Sequence, residues 1–261
     1  MREDCRGILI CSDMDGTLIG SDGALSAVNA AAIRRFQQAG GRFTVATGRT
    51  WTHLQNFPEL TCNAPLVCLN GADLCSAEGI HYRSETFCVN GGMTTGFGRV
   101  GESIQQVIFC TADERYYFSP ADGEGMLDGV AGYPLCKIVL PAVTGGASEE
   151  VIRSLQADPA FGELDIFRSA DQLIEIVRKG VCKGKSARRA AELVGEIRLV
   201  IGVGDHENDL SMMEYCDLGF AMGNGLDQLK GLADGVLPTN DQNGIAYLIE
   251  HLDDWIKEAS L

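Results

Sequence analysis

What this chain has little of narrows its class. Positive charge is scarce: 21 Lys and Arg stand against 36 Asp and Glu, a net charge of −15. Such a surface repels nucleic acid and anionic membranes, so neither is expected as a partner. No apolar run approaches the roughly 20 residues of a membrane span. The first apolar run is short and ends in Asp13, so it does not read as a signal-peptide core, and a cytoplasmic location is expected. Ten cysteines are present, yet none forms a Cys-x-x-Cys pair or has a His at zinc-finger spacing. They read as reduced thiols buried as small hydrophobes. His53, His81 and His251 lie in segments without evident partners and read as surface or packing residues, as do Trp51 and Trp255 as packing residues. The Gly-rich stretch 91–101 lacks the preceding strand and the glycine spacing of a nucleotide loop. There is no internal repeat and no low-complexity tract.

What is there alternates between strand-like and helix-like segments. A buried strand is expected at 7–12, then a helix from a Ser26 cap to Ala39, stopped by Gly40-Gly41. Leu25, Val28, Ala32, Phe36 and Ala39 recur at helical spacing. Strands follow at 42–46 and 66–69, the βαβ order of a parallel sheet. After 180 the style returns: helix 185–194, strand 197–203, helix 208–215, strand 218–221, a short helix 226–232, strand 235–237. A last helix carries the stripe Ile245, Leu248, Ile249, Leu252, Trp255 and Ile256. Between 84 and 180 short alternating strands and two or three helices are joined by Gly-rich connections. The expected fold class is therefore α/β: a doubly wound, Rossmann-like parallel-sheet core of residues 1–84 and 181–261, with an inserted α+β domain at 85–180.

The chemistry concentrates at strand ends. Asp13 and Asp15 close the first strand with one residue between them, so both carboxylates leave it on one side. The carboxyl edge of an open α/β sheet is where ligands bind. Adjacent carboxylates repel unless a cation or a shared proton relieves them. Three more clusters fall in comparable places: Thr47-Gly48-Arg49 after strand 42–46, Lys183-Gly184 at a helix start, and Gly204-Asp205-His206-Glu207-Asn208-Asp209 after strand 197–203. Alone, each reads as a turn, a loop, a surface lysine or a helix cap. Together they meet the needs of phosphoryl transfer. Asp13 supplies a carboxylate nucleophile. Mg²⁺, which takes oxygen ligands, would be held by Asp13, the Asp15 carbonyl and Asp205. The Thr47 hydroxyl, the Lys183 ammonium and the N–H groups of Met14 and Asp15 are donors for phosphoryl oxygens. Asp15 is placed to act as general acid and then general base.

In this order and spacing the four clusters resemble the four motifs of the haloacid-dehalogenase-like phosphohydrolase superfamily, over nearly the whole chain. Leu69-Asn70-Gly71-Ala72, the central insertion, Ala221-Met222-Gly223-Asn224-Gly225 and Asn243-Gly244-Ile245-Ala246 resemble its Cof-type branch with a class IIB cap. The resemblance implies that Asp13 is the nucleophile and Asp15 the acid/base. It implies that Thr47, with Gly48, and Lys183 bind the transferring phosphoryl group, and that Asn208 contacts phosphate. Asp205 would ligate Mg²⁺, and Asp209 would orient Lys183 or a metal-bound water. The presence of Asp15 points to phosphatases and phosphomutases rather than to transport ATPases. The resemblance assigns no role to Arg49, His206 or Glu207. The cap is expected to exclude bulk water from the site and to choose the substrate. The expected activity is a Mg²⁺-dependent phosphatase acting, through an aspartyl phosphate, on a small-molecule phosphorylated metabolite, a sugar phosphate or a phosphorylated cofactor. A sugar phosphomutase and a non-catalytic phosphometabolite sensor are the alternatives. Neither the substrate's identity nor the oligomeric state is legible.

Overall fold

The computed structural model describes residues 4–259 apart from 131, 142, 144 and 171. Strand β1 (Ile8–Ser12) is buried at every position and leads to helix α1 (Ala27–Gln38) and strand β2 (Arg42–Val45). The short helix α2 (Trp51–Leu54) precedes β3 (Leu66–Cys68), β4 (Asp73–Cys75) and β5 (His81–Ser84). Next come α3 (Gly91–Arg99), β6 (Val107–Cys110), β7 (Arg115–Phe118), α4 (Gly125–Val130), β8 (Lys137–Pro141), α5 (Gly145–Gln156), β9 (Leu164–Ala170) and β10 (Leu173–Arg178). The chain then continues through α6 (Lys183–Val194), β11 (Leu199–Gly204), α7 (Leu210–Tyr215), β12 (Leu218–Met222), α8 (Asp227–Lys230), β13 (Gly235–Leu237), α9 (Gly244–Glu250) and α10 (Leu252–Glu258).

Two compact units result. Residues up to Tyr82 and from Cys182 onward form one, and Arg83–Val181 the other. The first is built on a parallel sheet of order β13-β12-β11-β1-β2. β1 lies between β11 (Ile8↔Leu199 to Ser12↔Val203) and β2 (Leu9↔Arg42 to Ser12↔Val45). A strand with parallel neighbours on both sides is apolar throughout, which is why β1 and β11 read as continuous hydrophobic runs. Their carboxyl ends, at Asp13 and Asp205, come out side by side. The second unit is an antiparallel sheet of order β7-β6-β8-β10-β9. Phe97, Phe109, Phe161, Ile138, Ile174 and Ile176 are among its core residues.

Three expectations shift in detail. Ser26 does cap α1, accepting from the Asn29 N–H at 3.0 Å. The buried stripe, however, is Asn29, Ala30, Ala32, Ile33 and Phe36, and Val28 is 52% exposed. Asn29 turns inward because its Oδ1 accepts from the Ala246 N–H at the start of α9, 3.0 Å away. The last helix is two helices, α9 and α10, broken at His251 (φ −104°, ψ 16°). Strand 66–69 meets the parallel sheet through the single bridge Ala46↔Val67 and otherwise belongs to an antiparallel sheet of order β3-β4-β5. Among the described residues no helix is long and apolar enough to cross a membrane.

Candidate active site

The end of β1 shapes the site. The Asp13 N–H donates to the Val203 carbonyl at 2.8 Å, carrying the β1–β11 ladder one residue past the strand. The chain then turns tightly, with the Met14 carbonyl accepting from the N–H groups of Thr17, Leu18 and Ile19. Met14 itself is fully buried. Gly16 makes the turn possible twice over. Its φ of +81° suits glycine, and an added Cβ would lie 2.4 Å from Asp205 Oδ2. Thr17 reaches across to donate its hydroxyl to Asp205 Oδ1 at 2.9 Å.

Lys183 is the first residue of α6 and is completely buried. The helix start fits there because the next residue lacks a side chain: a Cβ on Gly184 would fall 2.0 Å from the Ser211 carbonyl oxygen. Lys183 Nζ donates to Asp13 Oδ1 and to Asp209 Oδ1, both at 2.7 Å. Asp209 is fixed further by the N–H groups of Asp205 (2.9 Å) and His206 (3.1 Å), which donate to its Oδ2. Carboxylate oxygens of Asp13, Asp205 and Asp209 lie within 4.8 Å of one another.

One buried ammonium faces three carboxylates, and the electrostatics follow. Burial pushes the Asp13 carboxyl well above its usual range, and the charges of Asp209 and Asp205 add to this against the pull of Lys183. Asp205 is pushed up to about 6, by burial first and by Asp209 second. Burial pulls Lys183 down, but Asp13 and Asp209 outweigh it and the ammonium is held above its ordinary value. Asp209 is occupied by Lys183 and two backbone donors, so Asp13 and Asp205 are the pair most in need of a further positive charge. An all-oxygen, doubly anionic donor set of this kind fits Mg²⁺.

The remaining expected residues stand around this cluster. Thr47 is buried at the end of β2, and its hydroxyl accepts from the Arg49 N–H at 3.2 Å. Gly48 links the two. Asn208 Nδ2 donates to Asn70 Oδ1 at 3.1 Å, while its own Oδ1 is buried without a hydrogen-bond partner. The Asp15 carboxylate is not drawn into the cluster. It is turned to Arg49, whose Nε and Nη2 donate to its two oxygens at 2.9 and 2.6 Å. Arg49 also lies over the Phe57 ring, 5.0 Å from its centre.

The sequence left the role of Arg49 open, between steering an anion and pairing with a core carboxylate, and did not single out three other supporting side chains. Arg49 holds Asp15. Thr17 holds Asp205. Asn70, in a left-handed conformation (φ 57°) beside Leu69 (φ 52°), holds Asn208. Asn224 Nδ2 donates to the Gly16 carbonyl at 2.7 Å. Positive φ at a leucine is a sparsely populated, costly conformation. Thr17, Arg49, Asn70 and Asn224 all sit inside motifs visible in the sequence, which is the signal that could have found them.

The chain belongs to the haloacid dehalogenase-like hydrolase family, whose sequence profile matches residues 10–87 and 133–249. Within that family it is a phosphohydrolase, with the clustered aspartates as its chemical centre. "Phosphatase YwpJ" of Bacillus subtilis is 26% identical over 94% of this chain and 99% of its own length. "5-amino-6-(5-phospho-D-ribitylamino)uracil phosphatase YcsE", from the same organism, is 27% identical over 96% of this chain and 97% of its own. A haloacid dehalogenase-like hydrolase from Bacteroides thetaiotaomicron superposes with a TM-score of 0.74 at 26% identity, covering 95% of this chain and 100% of the other.

Proposed function

We propose that the chain is a Mg²⁺-dependent phosphatase that hydrolyses a small phosphorylated metabolite, a sugar phosphate or a phosphorylated cofactor, by way of an aspartyl phosphate on Asp13. The observation that carries this reading is the buried Asp13–Lys183–Asp209 chain, with Asp205 beside it, at the carboxyl edge of the parallel sheet. Bound to Asp13 and Asp205, with the Asp15 carbonyl as a third oxygen, Mg²⁺ would offset their charge and let a phosphate dianion approach.

Asp13 attacks phosphorus, an oxygen–phosphorus bond forms, and the bond to the substrate oxygen breaks. Asp15 gives its proton to that leaving oxygen. It then takes a proton from the incoming water, whose oxygen displaces Asp13 from phosphorus. The side-on grip of Arg49 favours the ionised carboxylate of Asp15, so loosening that grip would help the group to carry the proton. Lys183 holds Asp13 in place and neutralises charge on the phosphoryl oxygens. The Thr47 hydroxyl, the Met14 N–H and the backbone at Gly48 supply further donors to the phosphoryl group, and Asn208 contacts it. Asp209 orients Lys183.

The relatives named as phosphatases of a phosphoribitylamino-uracil make phosphorylated ribityl compounds a reasoned part of a substrate panel. The test is inorganic phosphate release from sugar phosphates, nucleotides, phosphorylated cofactors and such ribityl phosphates, with Mg²⁺ or EDTA. Release that needs Mg²⁺ and falls at least ~10³-fold in Asp13→Asn is expected. Release that survives EDTA, or is unchanged in Asp13→Asn, contradicts the assignment.

A further inference from the structure

The β3-β4-β5 sheet gathers a second set of ligand-type side chains. Asp73 and Cys75 are two residues apart on β4, so they face the same side. Cys68 is paired directly with Asp73 in the antiparallel register and shares that side. His81 begins β5, the strand next to β4. One ligand atom each from Asp73, Cys75 and His81 lie within 4.8 Å of one another. His81 Nδ1 is 2.9 Å from Asp73 Oδ2, and Cys68 Sγ is 3.8 Å from Cys75 Sγ.

This set differs in kind from the three aspartates. It offers nitrogen, sulfur and oxygen, a mixture that suits Zn²⁺ and not Mg²⁺. The sequence hides the arrangement because no two cysteines fall at metal-motif spacing. The fold, by setting β5 beside β4, brings the ligands together.

We propose that Asp73, Cys75 and His81 form a second metal site, for a borderline-soft transition-metal dication of which Zn²⁺ is the type, distinct from the catalytic aspartates. Zn²⁺ taken up by ionised Asp73, neutral His81 and the Cys75 thiol releases the thiol proton. The ion links β4 and β5 at the base of the turn that carries Leu69 and Asn70. Asn70 is the residue that holds Asn208, so the metal stiffens one wall of the candidate active site.

The test uses the full chain, reduced and stripped with EDTA, with excess Mg²⁺ present and Co²⁺ as the optical probe. One equivalent of Co²⁺ is expected to give thiolate-to-metal charge transfer and the d–d bands of a tetrahedral site, and Zn²⁺ is expected to bleach them. Cys75→Ser should remove most of the charge transfer. His81→Ala should weaken Zn²⁺ at least tenfold. Asp13→Asn should leave the spectrum unchanged. Absence of the thiolate band at one equivalent, its survival in Cys75→Ser, or its loss in Asp13→Asn would each overturn the proposal. If Cys75→Ser does not fold, His81→Ala, at a partly exposed ring, decides the matter through Zn²⁺ affinity alone: an unchanged affinity refutes the site.

Discussion

At the scale of the residue, the site is a problem of charge. Lys183 is one buried cation between two carboxylates. Removing one member of a buried pair costs far more than the pair's net worth, because the others stay behind unpaired. Lys183→Ala is therefore expected to lower unfolding free energy by about 3–5 kcal/mol and to damage both KM and kcat. Denaturant unfolding beside steady-state kinetics would show it. Unchanged kinetics would make Lys183 a structural residue only. Asp205 adds a pH dependence. Without metal its carboxyl is raised to about 6 by burial and by Asp209. A raised carboxyl favours the protonated folded state, so this group's contribution to stability is present below its unfolded value and is lost as pH rises through about 6. If Asp205 ligates Mg²⁺ as proposed, the ion binds the ionised form and restores that loss. The Mg²⁺-induced rise in Tm should accordingly be larger at pH 7.5 than at pH 5, and the Mg²⁺ needed for half-saturation should climb about tenfold per pH unit once below the pKa. A Mg²⁺ affinity flat across that range would remove Asp205 from the ligand set.

At the scale of the element, the legible parts were those with strong periodicity or unbroken apolar runs. β1, β2, β11 and β12 were found because buried parallel strands leave continuous hydrophobic sequence. α1 was found with its cap, but its buried face was set by Asn29 bonding to Ala246, a contact 217 residues away in the chain that no local pattern encodes. β4 and β5 were missed. Three or four residues that include Asp73, His81 and Arg83 carry too little apolar alternation to register as strands. The same short strands give His81 a partner in Asp73, contrary to the reading of that histidine as partnerless. The four chemical clusters were legible because each sets a glycine beside a polar or charged residue at the boundary of a strand or helix, and because they recur in one order. The supports that hold them, such as Arg49 on Asp15, depend on distances that only the folded chain supplies.

The second unit offers a test of its own element. Lys137 on β8 and Glu175 on β10 form a buried ion pair at 3.0 Å. Lys137→Ala should destabilise that unit by about 3–5 kcal/mol by leaving Glu175 without this partner, whereas Lys137→Met with Glu175→Leu should recover most of the loss. Denaturant titration of the three chains decides it. Equal destabilisation by the single and double changes would show that packing volume, not charge, matters there.

At the scale of the whole molecule, a chain of net charge −15 acts on a negatively charged substrate. The long-range field opposes encounter, so in the proposed reading recognition depends on charge held at close quarters, by Lys183 and by a metal on Asp13 and Asp205. The arrangement at the carboxyl edge of the sheet rests on one central claim, that the phosphoryl group passes through Asp13. The most direct measurement is mass spectrometry of the enzyme quenched in acid during turnover of its best substrate with Mg²⁺. The account expects one phosphoryl group, on the peptide containing Asp13, absent from Asp13→Asn and absent when EDTA replaces Mg²⁺. Turnover with no phosphorylated peptide, or with the phosphoryl group on another residue, would contradict it.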